Sequence, residues 1–240
     1  MVQAKAKIFL ADERGLDETG WFRSQHTFSF GKYQEGYKQP VGDLYILNDD
    51  ILDGGRSLTM RAEEPSYVIL LPVIGAISFT GPDDNEGLLA AGQAAFLAME
   101  TACTLQIKNP FKDELVNYIQ LWIRAPRPEI EAMPVVSTFD VNKFQNCLMK
   151  ISPQRMREEL LPYSFSLGKF SGRGETSYYP RNPAAGSFVF VLEGAFEVAG
   201  RLMHARDGLA LYDLDLIEME ALSNGAIMML IDLPVSSPVV

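Results

Sequence analysis

The sequence predicts an all-β protein made of two tandem antiparallel β-barrels or sandwiches, with few short helices. Three observations lead to this fold class. The 240 residues include 19 glycines and 14 prolines, which favour turns and short strands over long helices. Apolar and polar residues alternate in several short segments, as half-buried strands require. The two halves of the chain also carry the same apolar landmarks in the same order.

Individual segments support the β assignment in detail. Apolar and polar residues alternate strictly in Thr104–Lys108 and in Ile217–Ala221, so each segment predicts a strand with one face inward. The segments 116–123 and 226–233 are longer apolar runs, which are typical of buried strands. The best helix candidate is 153–160, which follows Ser152 as its N-cap. Helical content is therefore expected to be small.

Matching landmarks in the two halves indicate an internal duplication. A glycine turn at Gly75 has a counterpart at Gly194, and a predicted strand follows each glycine. Gly92 and Gly208 open the next equivalent segments in their halves. The closing strands 118–122 and 228–232 match as well. Similar apolar strands can also match by chance, but three landmarks in one order favour a duplicated β unit.

The duplication divides the chain into two domains of similar size. We expect an N-terminal domain at 1–125, an inter-domain connection at 126–142 and a C-terminal domain at 143–240. The segment 124–131 mixes prolines with charged residues, which is typical of a connection. Each unit is long enough to bury roughly 65% of its unfolded surface and to fold on a core of its own.

Composition excludes several classes of function. The chain has 21 Lys and Arg against 31 Asp and Glu, a net charge of −10 that argues against direct binding to nucleic acid. No run of apolar residues is long enough to span a membrane, and no secretory leader is predicted at the start. Cys103 and Cys147 are expected to be free thiols in a reducing cytoplasm. We expect a monomer.

Several motifs resemble the pirin family. The segment 20–33 contains a His-Thr-Phe-Ser-Phe run after a tryptophan, which is similar to the N-terminal signature of pirins. Further resemblance lies in the stretches 44–50, 120–123 and 231–234. Pirins are bicupins, in which two cupin barrels pack in tandem. The resemblance therefore implies a cupin-type N-terminal domain and agrees with the duplication.

The family also implies a metal site that this chain lacks. Typical pirins bind iron or another divalent metal in the first barrel through a His-x-His pair and a later His and Glu. The corresponding positions here fall on Arg61, Glu63, Leu105 and Ile107, none of which matches. Without imidazole ligands a transition-metal site is not expected, so we predict no metal and no cofactor.

Only two histidines occur in the chain, and neither is expected to be a ligand. His26 lies in the signature segment, where a structural role beside Trp21 and Phe28 is expected. His204 is expected to lie at the surface. Ser24 and His26, which are neighbours in the Ser24-Gln25-His26 stretch, do not predict a catalytic triad, because no nucleophile elbow surrounds any serine.

A small-molecule pocket in the first barrel is the candidate site. Barrels of this size either hold one small ligand or fill their interior with side chains. The candidate lining residues are Met60, Arg61, Glu63, Met99, Leu105 and Ile107. The leading hypothesis is a non-catalytic protein that binds a small molecule or another protein. The resemblance leaves two alternatives open, a quercetin 2,3-dioxygenase-like activity and a protein-partner module resembling a transcription cofactor.

Overall fold

The structure, a computed structural model, describes residues 5–126, 128, 134–153 and 161–233. Strands dominate these residues, and two short 3-10 turns at Ala11–Glu13 and Pro82–Asp84 are the helical elements among them. The predicted all-β class is therefore confirmed. Residues 154–160 of the predicted helix lie outside the described ranges. None of the helical segments in those ranges is long and apolar enough to cross a bilayer.

Two facing antiparallel sheets form the first barrel. The larger sheet has seven strands, in the order β12 (Val135–Thr138), β9 (Gln93–Met99), β6 (Ser66–Ile74), β11 (Val116–Arg124), β4 (Leu44–Leu52), β3 (Phe22–His26) and β2 (Gly15–Glu18). The smaller sheet has four strands, in the order β5 (Ser57–Arg61), β10 (Thr104–Lys108), β7 (Ala76–Thr80) and β8 (Glu86–Ala90).

The second barrel repeats this arrangement. Its larger sheet has the order β1 (Lys5–Phe9), β19 (Gly208–Tyr212), β16 (Ser187–Glu193), β21 (Ala226–Asp232), β14 (Ser164–Phe170) and β13 (Met149–Lys150). Its smaller sheet has the order β15 (Glu175–Tyr178), β20 (Ile217–Ala221), β17 (Phe196–Val198) and β18 (Arg201–Met203).

Strand order confirms the duplication. The central strands β9-β6-β11-β4 of the first barrel correspond to β19-β16-β21-β14 of the second, and the small sheets match strand for strand. The first matching pair of glycines adopts the same conformation, with φ of 79° at Gly75 and 78° at Gly194. A side chain is strained at such a positive φ, so both turns favour glycine.

Three apolar cores follow from the alternation of side chains along the strands. In β11, Leu121 faces the other barrel, whereas its neighbour Trp122 faces the interior of its own barrel. One core therefore fills the first barrel, a second fills the second barrel, and a third joins the two large sheets. Phe96 and Phe165 meet edge to face in the joining core, with ring centroids 6.4 Å apart.

Two strands cross the domain boundaries expected from the sequence. Strand β1 begins the chain but pairs with β19 at the edge of the second barrel, with Lys5 opposite Tyr212. Strand β12 lies in the expected connection but pairs with β9 at the edge of the first barrel. Both are edge strands of four or five residues, so the sequence pattern alone carries little information about which sheet they join.

Candidate functional site

The wall of the first barrel that was expected to carry a pocket is packed as core. Leu105 and Ile107 on β10 are fully buried, which confirms that these two residues face inward. They pair with Met60 and Leu58 on β5, so four apolar side chains line this part of the interior. Met99 on β9 is also fully buried in the same core.

Arg61 and Glu63, by contrast, lie on the outer surface. Both side chains are exposed, whereas Met60 is half-buried against the core and Ala62 is 1% exposed within it. The inward-facing pair on this segment is therefore Met60 and Ala62, and the expected positions are one residue out of register. Because side chains alternate along a strand, a shift of one residue moves both to the opposite face.

The six predicted residues thus do not form one site. The structure brings together four apolar residues and leaves the two charged ones outside. A transition metal at this place would meet thioether and hydrocarbon groups, which do not replace imidazole and carboxylate ligands. Across the described ranges, no group of three or more His, Cys, Asp or Glu side chains is arranged to hold a metal ion.

A polar network occupies a different part of the same interior. Asp50 on β4 is completely buried and accepts hydrogen bonds from Ser24 Oγ and Gln120 Nε2, each at 2.5 Å. Gln120 Oε1 in turn accepts a hydrogen bond of 2.8 Å from Trp122 Nε1. These residues come from three adjacent strands and share the face that looks into the barrel.

Burial governs the ionisation of this network. Desolvation raises the pKa of Asp50 to about 7, and the hydrogen bonds from Ser24 and Gln120 offset only part of this effect. The pKa of Tyr118, which faces the same interior, is also raised, first by burial and then by the nearby charge of Asp50. A carboxyl group of this kind changes its charge near neutral pH, which makes it sensitive to its surroundings.

His26 has the structural role expected for it, although with a different aromatic neighbour. Its Nδ1 lies 3.0 Å from Asn48 Oδ1, and its ring packs 4.9 Å from the Phe30 ring rather than beside Trp21 and Phe28. Burial lowers its pKa, so the imidazole is neutral at neutral pH. His204 is exposed, as expected.

Charged residues also connect the two barrels. Asp49 is 7% exposed and points away from the interior, where it accepts a hydrogen bond of 3.1 Å from Arg14 Nη1 and one of 2.7 Å from Asn117 Nδ2. Arg206 of the second barrel approaches the same carboxylate, with its Nε at 3.6 Å. The neighbouring Asp49 and Asp50 therefore lie on opposite faces of β4, with Asp49 towards the second barrel and Asp50 towards the interior of the first.

The sequence motifs alone do not identify the polar network. What identifies it is the spacing of two residues between polar side chains on the same strand. Ser24 and His26 are two residues apart, as are Asn48 and Asp50, so each pair shares one face of its strand. The same alternation identifies the inward residues of β5, where Leu58 and Met60 are the apolar members.

Comparison with known proteins agrees with this architecture. A family model described as the quercetinase C-terminal cupin domain matches residues 163–233. Quercetin 2,3-dioxygenase of Escherichia coli strain K12 is 24% identical over 230 residues, covering 93% of this chain and 96% of that protein. A pirin-like protein of Caulobacter vibrioides is 22% identical over 222 residues, covering 91% of this chain and 95% of that protein.

Solved structures share the whole fold. The crystal structure of YhhW from Escherichia coli superposes with a TM-score of 0.82 and 22% identity, covering 96% of this chain and 98% of the other. A second structure of that bacterial pirin, in complex with nickel(II), superposes with a TM-score of 0.80, 22% identity and coverage of 96% and 99%. The chain therefore has the bicupin fold of the bacterial pirins and resembles pirin-like proteins in sequence, as its motifs and its duplication indicate.

Proposed function

We propose that this chain is a metal-independent, non-catalytic bicupin that binds a small molecule. The observation that carries the proposal is the packing of Met60, Ala62, Leu105 and Ile107 into the core of the first barrel. In the pirin arrangement this region would carry the metal ligands. Here hydrocarbon and thioether groups fill it, and such groups support neither an open metal site nor the activation of oxygen.

The alternative function is a quercetin 2,3-dioxygenase activity. It is favoured by the names of the relatives, since several proteins about as similar as the Escherichia coli one carry that name. Proteins that share a fold at identities of 24% and 22% can differ in activity. The two hypotheses differ in whether the side chains inside the first barrel can coordinate a metal ion.

Oxygen uptake with quercetin as substrate tests the proposal. The protein would be assayed alone and after incubation with Ni(II), Fe(II) or Mn(II), with the Escherichia coli quercetin 2,3-dioxygenase as the matched positive control. We expect no uptake above the protein-free background under any of these conditions. Uptake that depends on an added metal and approaches the control would overturn the proposal and favour the dioxygenase.

A further inference from the structure

A cleft lies beside strands β13, β14 and β15 of the second barrel. The cleft has a volume of about 360 Å³, within the range of small-molecule sites. Two of its lining residues, Ser164 and Ser166, lie on the inward face of β14 and are each 4% exposed. The remaining lining residues are Cys147, Leu148, Lys150, Thr176, Ser177, Tyr178 and Arg181.

A buried carboxylate organises the hydroxyl groups of this cleft. Asp232 is 2% exposed and accepts hydrogen bonds from Tyr178 Oη at 3.2 Å and from Ser187 Oγ at 3.1 Å. It also accepts one of 2.8 Å from the backbone N–H of Arg181. Burial raises the pKa of Tyr178, so its hydroxyl is neutral and remains a donor.

The hydrogen-bond directions determine what the cleft can offer a ligand. Since Tyr178 donates to Asp232, its oxygen is the acceptor in the 3.1 Å contact with Ser164 Oγ. Ser164 then keeps its lone pairs for a hydroxyl donor of the ligand. Such a donor is found on sugars, polyols and hydroxy acids.

The charged side chains that line the cleft, Arg181 and Lys150, are both cationic, and the carboxylate of Asp232 lies behind Tyr178. Arg181 reaches the carbonyl oxygens of Leu161 and Tyr163 through Nη2, at 3.4 Å and 3.3 Å. A guanidinium has five N–H donors, so donors remain for an anion. Lys150 adds a second cation to the lining.

We propose that this cleft binds a small hydroxylated carboxylate, with Arg181 contacting the carboxylate and Ser164 accepting from a hydroxyl. This proposal rests on the small-molecule binding proposed above and assigns that binding to the second barrel. It uses the second barrel, whereas the expected pocket was in the first. No metal or redox step is involved, so binding alone is at issue.

Calorimetric titration with D-gluconate tests the site. Glucose, which lacks the carboxylate, and propionate, which lacks the hydroxyl groups, are the comparison ligands. We expect gluconate to bind more tightly than either. Arg181→Gln should weaken gluconate binding by about tenfold or more, because a charged hydrogen bond is lost. Tyr178→Phe removes the acceptor that orients the Ser164 hydroxyl, so it should weaken gluconate binding while leaving propionate binding nearly unchanged.

Lys112→Gln removes a positive charge at an exposed position outside the cleft and is the matched control. It should bind gluconate like the wild type, and the melting temperature of each variant reports whether it is folded. The proposal is overturned if gluconate does not bind, if glucose or propionate binds as well, or if folded Arg181→Gln retains full affinity. None of these outcomes depends on metal content or quercetin turnover, so failure here leaves the metal-independent function to its own test.

Discussion

At the scale of single residues, Leu105 and Ile107 lie at two of the four positions where the pirin resemblance implies metal ligands. Leu105 and Ile107 are completely buried and pack against β5 and β9. Fully burying such a side chain stabilises a fold by roughly 1.5–3 kcal/mol. These residues therefore contribute to the stability of the barrel at the place where ligands would otherwise be exposed to a substrate.

Leu105→Ala should lower the free energy of unfolding by about 2–5 kcal/mol, because it leaves a cavity in a packed interior. Urea unfolding followed by tryptophan fluorescence measures the change. Leu88→Ala is the matched control, since Leu88 is 63% exposed and its loss should change stability by less than about 0.5 kcal/mol. Equal effects of the two substitutions would show that the first-barrel interior is not a packed core.

Asp50 predicts a dependence of stability on pH. Its pKa of about 7 in the fold is above the value of 3.8 for a free side chain, so the unfolded chain ionises first as pH rises. The group therefore gives its full contribution to stability below about pH 4, and this contribution is lost as the pH rises towards 7, at up to about 1.4 kcal/mol per pH unit.

Asp50→Asn should remove that part of the pH dependence. The amide can accept from Gln120 and donate to Ser24, so the network retains hydrogen bonds without a charge to bury. Urea unfolding of the wild type and the variant at pH 5 and pH 8 measures the difference. Asp113→Asn, at an exposed carboxylate, should keep the wild-type slope. An unchanged slope in Asp50→Asn would contradict a raised pKa at this position.

At the scale of elements, strand β1 joins the two halves of the molecule. Phe9 at its end is fully buried, and its ring lies 5.2 Å from Phe28 of the first half and 5.7 Å from Phe188 of the second. Aromatic pairs of this geometry add to the stability gained by burial. A short strand at the start of the chain is thus part of the contact between barrels.

Phe9→Ala should lower the free energy of unfolding by about 3–5 kcal/mol, as loss of a large buried aromatic residue does. Thermal and urea unfolding measure the effect. Ile8→Ala on the same strand is the matched control, because Ile8 is 41% exposed and faces the other way. A neutral Phe9→Ala would mean that β1 contributes little to the packing of the two barrels.

What the sequence can predict about an element depends on the length and the burial of that element. Thr104–Lys108 alternates over five residues, so its inward face follows directly. The segment from Ser57 to Glu63 alternates as well, and this alternation puts Met60 and Ala62 inward, whereas the pirin resemblance points to Arg61 and Glu63. The cleft of the second barrel is lined by side chains from segments that are far apart in the sequence, so no local pattern predicts it.

At the scale of the whole molecule, the duplication gives two barrels of the same fold whose interiors carry different side chains. Both barrels have the same order of central strands and an apolar core, but the first contains the Asp50 network, whereas the second has a hydroxyl-lined cleft beside β14. Fold and function are separable in such a frame, because chemistry depends on the side chains that line each interior. The substitutions in the first barrel are the reason to expect a function without metal.

Metal content measured by inductively coupled plasma mass spectrometry tests this central claim most directly. The protein would be purified after growth with added nickel and iron, beside the Escherichia coli quercetin 2,3-dioxygenase prepared in the same way. Because the first barrel has apolar side chains where ligands would be required, we predict far less than one ion of any transition metal per chain. About one tightly held ion per chain, retained through dialysis against a chelator, would contradict it.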